Sequence, residues 1–147
     1  MTTTPESTPE ILTLAEANAA LPHVDQMIEQ LQGLQREMAD GEAQRKELAK
    51  QLTWGHGHAR TAVQDQLHAG TARKDQLVAA AEATFHALSA CGAMLKNLET
   101  GLVDFYGERD GDIILLCWQL GEAQRIEYWH TLEGGFAGRQ PVDELIS

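Results

Sequence analysis

Four side chains able to do chemistry together fall at Asp104, Cys117, Tyr128 and His130. A hairpin turn centred on Asp110-Gly111 sets Asp104 opposite Cys117. A second turn, centred on Glu122-Ala123, sets Cys117 opposite Tyr128. Alternate residues of a strand share a face, so these three point the same way as His130. A converging carboxylate, thiol and imidazole are the inventory of a divalent-metal site with Asp104, Cys117 and His130 as ligands. They are also the inventory of a Cys–His nucleophile pair. With Glu122 added, the same set would serve a small divalent-metal- or thiol-dependent enzyme. The plainer alternative packs Cys117 as a small hydrophobe and bonds His130 to a backbone carbonyl. No strict ligand spacing of the His-Glu-x-x-His kind decides between them.

A second candidate follows at once in Gly134-Gly-Phe-Ala-Gly-Arg139. Glycines let successive N–H groups turn toward one ligand, and an arginine clamps a carboxylate or phosphate through two parallel bonds. Gly135, Gly138 and Arg139, with Glu122 and His130, therefore make a candidate site for a small anionic ligand, His130 and Arg139 projecting into one concave pocket. The spacing matches neither the Rossmann nor the Walker pattern. The alternative is a tight loop in which Arg139 pairs with Glu122, Glu127 or Glu133. His56 and His58 flank Gly57 in a Gly-rich stretch and can capture a stray transition metal, although a solvated loop accounts for them. Met27, Met38 and Met94 lie on or beside helical seams and read as core filler. His23, His68 and His86 have no partner constellation.

The elements that must position these groups are mostly helical. Thr13-Leu-Ala-Glu16 is a capping box, two backbone donors satisfied reciprocally. The helix it starts is expected to be short, because Pro22 lacks the N–H needed to continue it, and a second helix is expected from Pro22 onward. Apolar residues then recur at heptad spacing through Val24, Met27, Leu31, Leu34, Met38, Leu48 and Leu52. Thr53-Trp-Gly-His-Gly-His58 reads as a loop. A third helix is expected over about 60–99, its seam running Val63, Leu67, Gly70, Lys74, Leu77, Ala81, Thr84, Leu88, Cys91, Leu95, Leu98. If the chain reverses at Gly55–His56, Leu48 faces Val63, Leu34 faces Leu77 and Gly41 faces Gly70. Arg45 then faces Leu67 and Met38 faces Lys74, so the defects of one seam meet those of the other. Gly41 and Gly70 are expected in near contact.

Beyond Gly101 the period changes. Leu102–Tyr106, Asp112–Leu120 and Arg125–His130 are rich in β-branched and aromatic residues and predict a three-stranded antiparallel meander. The expected fold is α+β: a short helix, a long coiled-coil-like antiparallel hairpin, then the meander. Residues 1–10 read as a disordered polar tail, 11–100 as the helical arm, and 101–147 as the meander with its Gly-rich loop.

Composition narrows the function. The net charge is −11 and no stretch is basic, so neither nucleic acid nor an anionic membrane is an expected partner. No apolar run reaches the roughly 18 residues of a membrane span. The N-terminus shows no secretion signal, so two free thiols and a cytoplasmic setting are expected. Two helices expose more apolar seam than they bury, which favours a homodimer formed through the arm.

The stretches Thr13-Leu-Ala-Glu-Ala-Asn18 with Leu21-Pro22, Gly101-Leu-Val-Asp-Phe105, Leu116-Cys-Trp118, Gly121-Glu122, Trp129-His130 and Gly135-Phe-Ala-Gly-Arg-Gln-Pro141 resemble an uncharacterised prokaryotic family, domain of unknown function 2203. The resemblance runs over nearly the whole chain from residue 11. It implies a bacterial, cytosolic origin and points to the C-terminal motifs as the working surface, but it brings no activity, substrate or cofactor. The sequence departs from it in lacking a proline after Phe105 and in the Trp54–His58 stretch. The function expected is a non-catalytic binding protein, dimeric through its arm, that takes a protein partner or a small anion at the C-terminal sheet and Gly/Arg loop. The metal- or thiol-dependent enzyme is the alternative, and a divalent metal is the one cofactor these residues suggest.

Overall fold

Thr13 donates its N–H to the Glu16 carboxylate at 3.0 Å, and Glu16 returns a 3.1 Å bond to the Thr13 hydroxyl. The capping box therefore opens helix α1, Leu14–Trp54, as expected. The computed structural model describes residues 10–54 and 58–147. Helix α1 does not stop at Pro22, which lies inside it. The expected break is overturned by packing. Ala17, Leu21, Val24 and Ile28 are all fully buried at helical spacing. Each large side chain among them contributes about 1.5–3 kcal/mol. Together they outweigh the roughly 3 kcal/mol that an interior proline costs.

Helix α2, His58–Ala90, ends well before Glu99. Gly92 adopts φ +83°, a left-handed residue that terminates the helix, and its N–H bonds the Ser89 carbonyl. The apolar steps at Leu95 and Leu98 thus belong to no helix. Met94–Asn97 instead forms strand β1. Strands β2 (Leu102–Arg109), β3 (Asp112–Gln119), β4 (Tyr128–His130) and β5 (Gln140–Pro141) follow. All neighbours pair antiparallel in the order β1-β2-β3-β4-β5, so the sheet has five strands where three were expected.

The chain divides into two units. In the helical unit, residues 30–86, Glu37 bonds Arg73 at 2.8 Å, as an antiparallel reversal near residue 55 requires. The helices run closer together along the chain than expected: Thr53 and Trp54 end α1 and His58 opens α2 rather than belonging to a loop. Residues 55–57, the other half of the expected loop, with His56, lie outside the described residues. Gly41 and Gly70 line one cleft, together with Met38, Leu48, Leu67, Lys74 and Leu77. The pairing register is therefore the expected one, but the glycines are not in near contact. A Cβ built on either would meet nothing within 4 Å. Leu48, Val63 and Leu77 are buried on neighbouring turns, while the two missing side chains leave a hollow of 670 Å³.

In the other unit, whose described residues are 10–29 and 87–147, α1 joins the sheet through specific bonds. Leu12 donates to the Tyr106 carbonyl at 2.8 Å, and the Ile126 N–H donates to the Asn18 side chain. Val103, Phe105, Ile114, Leu116, Trp118 and Trp129 are buried on one face of the sheet. Asp110 and Gly111, at φ 52° and 84°, form the mirror-image turn whose twist matches a tight hairpin. Arg109, paired with Asp143 at 2.9 Å and stacked 5.0 Å over Trp129, holds the C-terminal segment against the strands. No described helix is long and apolar enough to cross a membrane.

Candidate functional site

The register places Asp104 opposite Cys117 and Cys117 opposite Tyr128, as the turn positions predicted. His130, two residues along β4, pairs with Leu115 and so shares that face. The result is one buried cluster. The ligand atoms of Asp104, Cys117 and His130 all lie within 4.8 Å of one another. None of the three residues is more than 3% exposed.

Within the cluster His130 makes two bonds. Nε2 stands 3.1 Å from Asp104 Oδ1, and Nδ1 stands 2.7 Å from the Thr131 carbonyl oxygen. A carbonyl only accepts, so Nδ1 carries the hydrogen. The backbone-carbonyl bond anticipated for His130, and the burial anticipated for Cys117, are both present. Burial first, and the Asp104 carboxylate second, push the Cys117 thiol up to about 12, while the nearby Arg139 opposes them. A thiol held so far above neutral pH is a poor nucleophile. The imidazole points both its nitrogens at oxygen, with no bond to sulfur, so a Cys–His nucleophile pair is not assembled.

Arg139 and Glu122 form a second group on the same side. One guanidinium nitrogen, Nη2, donates to both Glu122 oxygens at 2.8 Å. The guanidinium lies 4.2 Å over the Tyr128 ring and 4.7 Å over Phe136, a cation held between two aromatic faces. Glu122 also accepts the Gln119 N–H at 2.7 Å, bracing the turn after β3. Of the three partners anticipated for Arg139, Glu122 is the one it uses. Gly135 at φ +60° precedes a single 3-10 turn, Phe136–Gly138. The N–H groups of Gly134, Gly138 and Arg139 are spent on carbonyls of their own loop. The loop is thus built around Arg139, with its donors turned inward. His130 and Arg139 do not project into an open pocket: His130 is sealed, and the Arg139 side chain is 12% exposed.

Four residues were given no role in the expectation. Phe136 was quoted only as a member of the glycine run, though its spacing of three from Arg139 suits stacking. The Thr131 carbonyl carries no side-chain signal at all. On α2, Val78 and Phe85 are 37% and 48% exposed, and their spacing of seven was a readable apolar column beside the seam.

The chain belongs to the family of uncharacterized conserved proteins DUF2203, whose family model matches residues 10–142. Comparison with curated proteins and with solved structures gave no significant match.

Proposed function

We propose that the chain is a non-catalytic binding protein that pairs with a second copy of itself through its helical unit. The observation that carries this reading is the hollow at Gly41 and Gly70, an apolar cleft open between two helices. Thr71 stands in its wall, and Thr71, Val78 and Phe85 repeat every seven residues along α2. Hollow and knob therefore share one helix, about 22 Å apart at 1.5 Å per residue. An antiparallel pairing of α2 with its copy, with the two-fold axis beside Val78, sets Phe85 of each chain into the hollow of the other. The contact is self-complementary, as a two-fold interface must be. The same register brings Glu82 of one copy beside Arg73 and Lys74 of the second copy, opposite charges at the rim.

The sheet supports the non-catalytic half of the reading. Its polar cluster is sealed, its thiol is held protonated, and Nη2 of its arginine is given to Glu122, although the buried Nε has no partner. The net charge of −11 argues against nucleic acid as the partner, and free Cys91 and Cys117 suit a cytoplasmic setting.

Gly70→Leu tests the reading directly. The position is open, so the variant should fold with unchanged helicity while filling the hollow. Size-exclusion with light scattering should then show the parent as a dimer and the variant as a monomer. A parent and a variant of the same assembly state would contradict it.

A further inference from the structure

The one unpaired feature of the buried cluster is electronic. Nδ1 of His130 gives its hydrogen to the Thr131 carbonyl, so the neutral imidazole presents a bare lone pair at Nε2. That lone pair faces Asp104 Oδ1 at 3.1 Å, an atom that also carries lone pairs. Both side chains are at most 5% exposed, so no bulk water separates them. Two acceptors sealed face to face require a cation between them, either a proton or a metal. A single proton bonds Asp104 to His130, while the Cys117 thiol keeps its own hydrogen and gives it to Asp104. A metal ion engages all three.

We propose that Asp104, Cys117 and His130 form a closed site for a divalent transition metal of the zinc class, joining β2, β3 and β4. One thiolate, one imidazole and one carboxylate are a ligand set typical of zinc and unsuited to calcium or magnesium, which take oxygen ligands. In the tetrahedral geometry of zinc, bond lengths of about 2.0–2.3 Å set two ligand atoms about 3.3–3.6 Å apart. Nε2 and Oδ1 already stand 3.1 Å apart, and all three ligand atoms lie within 4.8 Å of one another, so side-chain shifts of about an ångström close the cluster on an ion. Metal-bound histidines characteristically give their second N–H to a backbone carbonyl or carboxylate, which fixes the ring and its tautomer. His130 already does so through Thr131. The second Asp104 oxygen or one water completes four-coordination. Uptake displaces two protons, the one between Nε2 and Oδ1 and the one on the Cys117 thiol. The site then holds a dication, a thiolate and a carboxylate, with no net charge left in the buried interior. This inference is independent of self-pairing, since the helical unit contributes no ligand.

The probe is Co²⁺, added to full-length protein stripped with EDTA, and then displaced by Zn²⁺. The expected result is saturation at one equivalent, with the near-ultraviolet band of a cobalt–thiolate bond. Two protons should be released per ion in weak buffer, and Zn²⁺ should raise the melting temperature by about 5 °C or more. Cys117→Ser should lose the band and most of the shift, whereas Cys91→Ser should keep both. Replacing His56 and His58 together by alanine should change neither. Should Cys117→Ser prove unstable, the His56/His58 variant and the proton count on the parent decide alone. Absence of a thiolate band and of a melting shift in the parent would overturn the site, leaving a proton-bonded polar core. Loss of binding in the His56/His58 variant would overturn it equally.

Discussion

Phe85→Ala separates association from folding more cleanly than any other single change. Phe85 is 48% exposed on α2, so about half of its surface remains to be covered by a partner. Full burial of a phenylalanine side chain contributes about 1.5–3 kcal/mol, and the uncovered half therefore about 1 kcal/mol. A two-fold interface uses the residue twice, so the dimer should lose about 2 kcal/mol, roughly a thirtyfold rise in Kd. The fold should lose far less. Alanine is the better helix former by about half a kilocalorie per mole, which offsets part of the intramolecular contact removed. Sedimentation equilibrium over a range of loading concentrations gives the two dissociation constants. Urea unfolding of both proteins, each diluted well below its Kd, gives the monomer stabilities. An unchanged Kd would refute the placement of Phe85 in the hollow. A fall in monomer stability as large as the change in association would show that the residue serves the fold.

Three further outcomes are expected. A thiol reagent at pH 8 should modify Cys91 in the native, EDTA-treated protein and reach Cys117 only after denaturation; rapid modification of both would contradict a thiol pushed up to about 12 by burial. Pro22→Ala should raise the unfolding free energy from urea titration by about 2 kcal/mol, the roughly 3 kcal/mol helix penalty less about 1 kcal/mol for a looser unfolded chain; a lower unfolding free energy would mean that α1 relies on the proline. The Thr13 N–H holds the Glu16 carboxyl below its ordinary value of 4.5, so its stabilisation is complete above that value and fades as pH falls through the lowered one. Glu16→Gln should therefore flatten the acid limb of the stability–pH curve, and an acid limb identical to the parent's would argue against the capping box as its source.

The parts of the fold legible in the sequence are those fixed by turns. Asp110-Gly111 admits one hairpin geometry, and parity then carries Asp104, Cys117 and Tyr128 onto one face. The helical register was legible because Gly41 and Gly70 mark each other as matched defects. What lay between them was not, since glycines opposite one another permit either close approach or a gap. The open space around both glycines shows that here it is a gap. Pro22 misled because a local rule was set against four buried side chains on the same helix. Strand β1 was hidden by leucines that happen to continue the seam, and Gly92 was the punctuation that separated them. Strand β5 is two residues long and contains Pro141, whose missing N–H confines it to the sheet edge. At the cluster the side-chain types were legible, but the Thr131 carbonyl that orients His130 belongs to the backbone, where composition carries no signal.

Self-pairing is tested most directly by the mass of the unmodified protein in solution. Sedimentation equilibrium at micromolar concentration, with EDTA present so that no metal can bridge chains, should give twice the 16.1 kDa of one chain, falling toward 16.1 kDa only on dilution. A concentration-independent mass of 16.1 kDa would contradict it, and the hollow at Gly41 and Gly70 would then await a different occupant.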